Sequence, residues 1–171
     1  MSIIDTTLNA NVEYARGFSL ASLAMPPARH LAVLACMDAR LTIEQILGLK
    51  TGDAHVIRNA GGLATEDALR SLIISHHLLG TREIMIINHT DCGMLTFHDE
   101  ELKTRLAKET GKRAPMPEHF HAFTNLEANV REQIQTIKSH PWLAGIPVRG
   151  FIYDVKSGKL QEVHAAETVS R

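Results

Sequence analysis

The sequence predicts a single α/β domain over residues 1–171, with a mostly parallel central sheet of about four parallel strands plus an antiparallel edge strand, flanked by helices. Three features carry this. Short continuous apolar runs, such as Leu31–Ala35 and Ile84–Ile87, fit strands covered on both faces. Segments with helical apolar spacing separate them, as crossover connections require. Cysteine and histidine stand just beyond the ends of two of these runs, where loops of a parallel sheet converge on one crevice.

In chain order, residues 5–24 place Leu8, Val12, Ala15 and then Ser19 or Leu20 on one helical face, with Asp5 or Thr6 as cap and Pro26-Pro27 beyond the end. Residues 1–25 are thus expected to be a helical arm that lies on its own sheet or on a partner subunit. The first strand runs from His30 to Ala35. A short helix over 42–49 follows, with Ile43, Ile46, Leu47 and Leu49 inward. Thr51-Gly52-Asp53 then turns the chain into a second strand, Ala54–Arg58, that leads to Asn59-Ala60-Gly61-Gly62.

Thr65 is the expected N-cap of the next helix, Glu66 and Asp67 suit its positive end, and Gly80 marks its close. Ala68, Leu69, Leu72, Ile73, His76 and Leu79 form its inner face. The third strand is Ile84–Asn88. Residues 98–140 are mainly helical, broken at Gly111 and at Pro115-Met116-Pro117, and their second half buries Phe123, Leu126, Val130, Ile134 and Ile137. Pro147–Val155 supplies the fourth strand. Ser157-Gly158 is a hairpin signal, which pairs Lys159–Val163 with it as the edge.

Composition narrows the function. An apolar fraction of 44% and a charged fraction of 22% belong to an ordinary globular chain, and a net charge of −1 gives no electrostatic reason for a nucleic-acid or anionic-membrane partner. No apolar stretch approaches the roughly 20 residues of a membrane span, and the first residues lack a secretion pattern. A reducing cytoplasm is the expected compartment.

The two cysteines are Cys36 and Cys92, and His89 lies three residues before the second. Two thiolates and an imidazole suit zinc, and three protein ligands leave a fourth position open for chemistry. A disulfide, or a buried structural cysteine beside an unrelated histidine, is the alternative. Asp38 follows Cys36 closely enough to touch the fourth ligand of such a metal, and Arg40 can hold its carboxylate in a fork; a plain structural ion pair has the same spacing. With Arg40 swung away, Asp38 itself can take the fourth position and close the site. Ala60, Gly61 and Gly62 offer backbone N–H groups for oxyanion charge or a small product, or else form only a tight connection. His55, His98, His119 and His121 are candidate proton shuttles, although an ordinary solvated or packed role explains each as well.

Cys36-x-Asp38-x-Arg40, the string Gly52–Gly62 and His89-x-x-Cys92-Gly93 together resemble the β-class carbonic anhydrases, most closely their compact, methanogen-like branch. The resemblance is tight over about residues 30–96 and implies one zinc ion per subunit, with Cys36, His89 and Cys92 as ligands and Asp38 and Arg40 as catalytic dyad. It also implies attack of a zinc-activated hydroxide on carbon dioxide. The implied assembly is a homodimer with the N-terminal arm exchanged between subunits, or a homotetramer built from two such dimers. Lys50 stands where plant-type members have a pocket glutamine, and Ala60 and Ile74 would leave a small apolar cavity. Carbonyl sulfide and carbon disulfide hydrolases are similar to the same branch, so hydrolysis of those substrates is the alternative activity. A non-catalytic structural zinc protein is the third reading.

Overall fold

The computed structural model describes residues 2–115 and 117–164. Met116, within the expected helix break, lies outside the described residues. The sheet contains β1 (Leu31–Cys36), β2 (Ala54–Asn59), β3 (Glu83–His89), β4 (Val148–Tyr153) and β5 (Leu160–Val163), in the order β2-β1-β3-β4-β5. All neighbours are parallel except β4 and β5, as expected.

Alternation along the strands divides the core in two. Ala32, Leu34, Ile84 and Ile86 face one side, where α3 (Glu66–His77) and α5 (Leu126–Ser139) bring Leu72, Val130, Ile134 and Ile137. The approach of α5 requires Gly150 on β4, because a β-carbon there would stand 2.5 Å from Val130 Cγ1. Val33, Ala35 and Ile87 face the other side, with Ile43 of α2 (Ile43–Leu47), Leu41 and Met94. Much of that second layer, including Val56, Met85, Phe97 and Tyr153, is only partly buried.

Several boundaries differ from the sequence expectation for local reasons. The helix expected over 5–24 is α1 (Ile3–Arg16), shifted towards the N-terminus. Ser2, rather than Asp5 or Thr6, is its cap: Ser2 Oγ accepts the Asp5 N–H at 3.1 Å and Asp5 Oδ2 accepts the Ser2 N–H at 2.8 Å, a reciprocal capping box. Gly17 ends it early by donating its N–H to the Tyr14 and Ala15 carbonyls. No side chain of α1 is buried within the protomer. Thr65 precedes α3 but makes no side-chain cap, its hydroxyl lying instead 3.4 Å from Asn59 Nδ2. The helix ends at His77, before Gly80. Beyond α4 (Asp99–Thr110), Phe123 is not helical, because α5 starts only after Asn125 caps the Ala128 N–H at 2.9 Å. Phe123 packs on the second layer instead.

Candidate metal centre

The chain leaves β1 for β2 on one side and returns through α3 to place β3 on the other. The ends of β1 and β3 therefore flank the point where strand order reverses, the usual crevice of an open parallel sheet. Ala35 is level with Ile87 across this pair, so Cys36 and His89 emerge at the same end. Asp91, with a left-handed φ of 56° that aspartate tolerates better than most residues, bends the chain between His89 and Cys92.

The result is a buried cluster in which the donor atoms of Cys36, His89 and Cys92 all lie within 4.8 Å of one another. Both cysteines are free thiols, not a disulfide. His89 Nδ1 lies 2.9 Å from the Thr90 carbonyl, which assigns the ring proton to Nδ1 and leaves a lone pair on Nε2. That Nε2 is fully buried and has no hydrogen-bond partner among the described residues. A buried polar atom left unpaired is costly, and a cation between it and the two sulfurs answers the cost.

The electrostatics agree. The Cys92 thiol hydrogen-bonds Cys36 and, against the effect of burial, pulls it down to about 4, with help from His89 and the backbone N–H groups of Asp38 and Gly61. The same bond, together with burial, pushes Cys92 up. Burial opposes charge on His89, but the adjacent Cys36 sulfur outweighs it and raises its pKa. One proton is thus shared where a dication would let both sulfurs ionise. Two soft thiolates and one imidazole fit zinc, whose charge they nearly cancel.

Asp38 and Arg40 meet at the mouth of the cluster. Arg40 Nε and Nη2 donate to Asp38 Oδ1 and Oδ2 at 2.9 and 2.8 Å, a bidentate fork, and the Arg40 backbone N–H adds a bond at 2.9 Å. This hydrogen bonding holds the Asp38 carboxyl well below the usual carboxylate range. Asp38 Oδ2 lies 3.7 Å from His89 Nε2, so the carboxylate borders the ligand cluster while committed to Arg40.

Three contributors escaped the sequence reading. Arg58 ties the first loop down, donating to the Cys36 carbonyl at 3.0 Å and the Asp38 carbonyl at 2.6 Å. Asp91 accepts from Arg40 Nη1 at 2.7 Å, and Asn88 reaches the glycine loop. Each looks in sequence like an ordinary polar residue; only adjacence to a strand end or a ligand marked it.

The structure brings Ala60, Gly61 and Gly62 beside Cys36. The Gly62 N–H donates to the Asn59 carbonyl at 3.2 Å. A β-carbon at Gly62, where φ is +64°, would stand 2.8 Å from the Cys36 nitrogen, so the close approach here is to β1 itself. Ile74 is 37% exposed on α3. Because α3 starts at the ligand end of the sheet and runs back roughly 1.5 Å per residue, Ile74 is on this protomer remote from the cluster. Lys50 is exposed. His55 bonds Ser75 Oγ at 2.7 Å, while His98, His119 and His121 are exposed around the ends of the α4–α5 connection.

Comparison with known proteins agrees with this geometry. The carbonic anhydrase family model matches residues 31–160. Beta-carbonic anhydrase 1 of Mycobacterium tuberculosis is 48% identical over 165 residues, covering 95% of this chain and 99% of the relative. A carbon disulfide hydrolase of Saccharolobus solfataricus is 30% identical over 186 residues, covering 95% and 91%. Among solved structures, a carbonic anhydrase from Streptococcus mutans superposes with a TM-score of 0.90 at 41% identity, covering 96% of this chain and 99% of that one. With the match extending through every strand and loop that builds the cluster, the chain belongs to the β-carbonic anhydrase family.

Proposed function

We propose that the protein hydrates carbon dioxide to bicarbonate and a proton, using one zinc ion per chain held by Cys36, His89 and Cys92. The observation that carries this is the unpartnered, buried Nε2 of His89 facing two free sulfurs, with an arginine-held carboxylate at the edge. Zinc bound there supplies a Lewis acid that makes water ionise far more readily than in bulk. The chain's own residues do the rest. Asp38, kept ionised by Arg40, accepts a hydrogen bond from the attacking water and aims its oxygen at the substrate carbon. Arg40 also keeps the carboxylate from turning into the ligand cluster. Ala60, exposed at the edge of the loop whose two glycines pack against β1, Leu63 and Met94, gives with Gly61 and Gly62 the wall against which a small linear substrate lies.

The name of the 48% identical relative supports carbon dioxide as substrate. The carbon disulfide hydrolase relative supports a second reading, in which carbonyl sulfide or carbon disulfide is hydrolysed at the same centre with release of hydrogen sulfide. Zinc-loaded protein assayed on carbon dioxide by pH change and on the two sulfur substrates by sulfide release decides between them. Fast hydration with little sulfide supports the first reading, the reverse supports the second, and neither with zinc retained leaves a structural metal site.

Homodimer formation is part of the same proposal. It is supported by the uncovered apolar side chains of α1, Ile3, Ile4, Leu8 and Val12, and by the partly buried second layer of the sheet. Pairing of two dimers gives the tetramer. No helix among the described residues is long and apolar enough to cross a membrane. Thiols that must stay reduced to hold zinc suit a cytoplasmic setting.

A further inference from the structure

The carbonyl 2.9 Å from His89 Nδ1 belongs to Thr90, and the peptide that carries it, between Thr90 and Asp91, is gripped on both flanks. On the Asp91 side, Arg40 Nη2 donates to the Asp91 carbonyl at 2.9 Å and Nη1 to Asp91 Oδ2 at 2.7 Å. On the other side, the Thr90 N–H donates to the Tyr153 carbonyl at 2.9 Å, which carries the β3–β4 ladder one residue beyond His89. The Thr90 side chain then reaches the turn between β4 and β5: its Oγ1 accepts the Val155 N–H at 3.1 Å and lies 3.4 Å from Asp154 Oδ1, a residue 64 positions further along the chain.

This hydroxyl has its full set of roles. An ionised carboxylate only accepts, so the hydroxyl proton goes to Asp154 while a lone pair takes the Val155 N–H. Asp154 is itself fixed: Oδ1 accepts the Lys156 N–H at 2.9 Å, Oδ2 accepts the Ser157 hydroxyl at 2.7 Å, and its backbone N–H donates to the Lys159 carbonyl at 2.9 Å. The β4–β5 turn is therefore a rigid anchor, and Thr90 hangs from it. An imidazole is a rigid ring, so a bond at Nδ1 also fixes where Nε2 points. The Nε2 at stake here is the buried, unpartnered one that faces the two sulfurs.

We propose that Thr90 is a positioning residue, whose hydroxyl, clamped to the β4–β5 turn, fixes the carbonyl that aims His89 Nε2 at the metal. Partners that orient a ligating histidine through its other nitrogen govern metal affinity by about 10- to 100-fold. The inference rests on His89 being a metal ligand, as in the proposed function.

The test uses full-length protein with ¹⁵N-labelled histidine, loaded with zinc. Two quantities are read: solvent exchange of the His89 Nδ1–H by NMR, and zinc affinity by chelator competition. Thr90→Val keeps the shape and removes the hydroxyl. It is expected to speed Nδ1–H exchange and to weaken zinc binding about tenfold. Thr90→Ser, which restores the hydroxyl without the methyl, should stay close to the parent in both. Ser157→Ala is the control, since it loosens the same turn without touching Thr90; it should lower Tm and leave both readouts unchanged. If Thr90→Val does not fold, Thr90→Ala carries the test, because it leaves room for a water on the Val155 N–H. A folded variant without the hydroxyl that keeps the parent's exchange and affinity overturns the inference. So does a Thr90→Ser variant as impaired as Thr90→Val, or a Ser157→Ala variant equally impaired, because packing or turn stability would then explain the loss. A parent in which zinc leaves the His89 Nε2 resonance unmoved overturns the metal assignment as well.

Discussion

Arg40 is bound to Asp91 as well as to Asp38: Nη1 donates to Asp91 Oδ2 at 2.7 Å and Nη2 to the Asp91 carbonyl at 2.9 Å, which ties the loop after β1 to the loop carrying His89 and Cys92. The two acidic partners should nevertheless be unequal in function. Asp38→Asn removes the charge beside the ligand cluster and turns one of its two acceptor oxygens into an N–H donor, and is expected to cut carbon dioxide hydration about 10²-fold with zinc retained. Asp91→Ala leaves the Asp38 fork intact and removes only a solvent-exposed, screened pair, so turnover should fall no more than about fivefold. Stopped-flow hydration with metal analysis of each variant checks this order; equal losses would contradict it.

Zinc removal should expose how much of the fold depends on the site. The native chain offers three converged donors and the unfolded chain does not, so zinc at a hundred times its dissociation constant adds about 2.7 kcal/mol. For a chain of this length, that corresponds to about 5 to 10 °C in Tm. Differential scanning calorimetry of chelator-treated and reconstituted protein measures the gap, and identical melting curves would count against a buried ligand set.

The α1 arm is expected to be an interface element. Leu8 and Val12 are one turn apart, 59% and 51% exposed, and lie on the same helical face. Replacing both with Asp should turn a dimer into a monomer in sedimentation equilibrium and leave the sheet folded. Unchanged sedimentation of the double variant would place the interface elsewhere.

Asp99 gives the structure an acid-sensitive latch. Its carboxylate accepts the backbone N–H groups of Phe120, His121 and Ala122 at 2.7, 3.1 and 3.0 Å. These bonds, led by that from Ala122 and opposed by burial, lower its pKa from the ordinary 3.8. A lowered folded-state pKa means that the stabilisation is complete above about pH 4 and declines as the pH falls through the depressed value. Protection of the Phe120, His121 and Ala122 amides, measured against their intrinsic exchange rates at each pH, should therefore fall on acidification below about pH 4. It should be fast at neutral pH in Asp99→Ala, where the lost bonds to a charged acceptor are worth about 1.5 kcal/mol or more. Unaltered protection in that variant would show that the loop is held by other contacts.

The strands were legible because continuous apolar runs of Leu, Val, Ile and Ala have few alternatives to burial in a parallel sheet. The ligand set was legible because both cysteines sit at strand ends. Less was visible where one residue competes with a periodic pattern: Gly17 stops α1 inside a window whose apolar spacing continues to Leu20, and the Ser2–Asp5 pair starts it earlier than Asp5 alone indicates. Partnerships across the fold were invisible for a different reason. Nothing local to Asn88 announces Gly61 or Asn129, and nothing local to Asp99 announces residues 120–122, since each bond exists only after distant elements are packed.

The separation of Cys36 from His89 along the chain also governs how the protein is assembled. Roughly fifty residues, including a strand and a crossover helix, must be looped out before both donors stand at one crevice, and closing that loop is an entropic cost met before the metal returns anything. A nascent chain that ends before β3 has only one of the three donors. The ion is therefore expected to arrive late, locking a sheet that already has its order rather than nucleating it, and slow non-local strand pairing should set the pace of maturation.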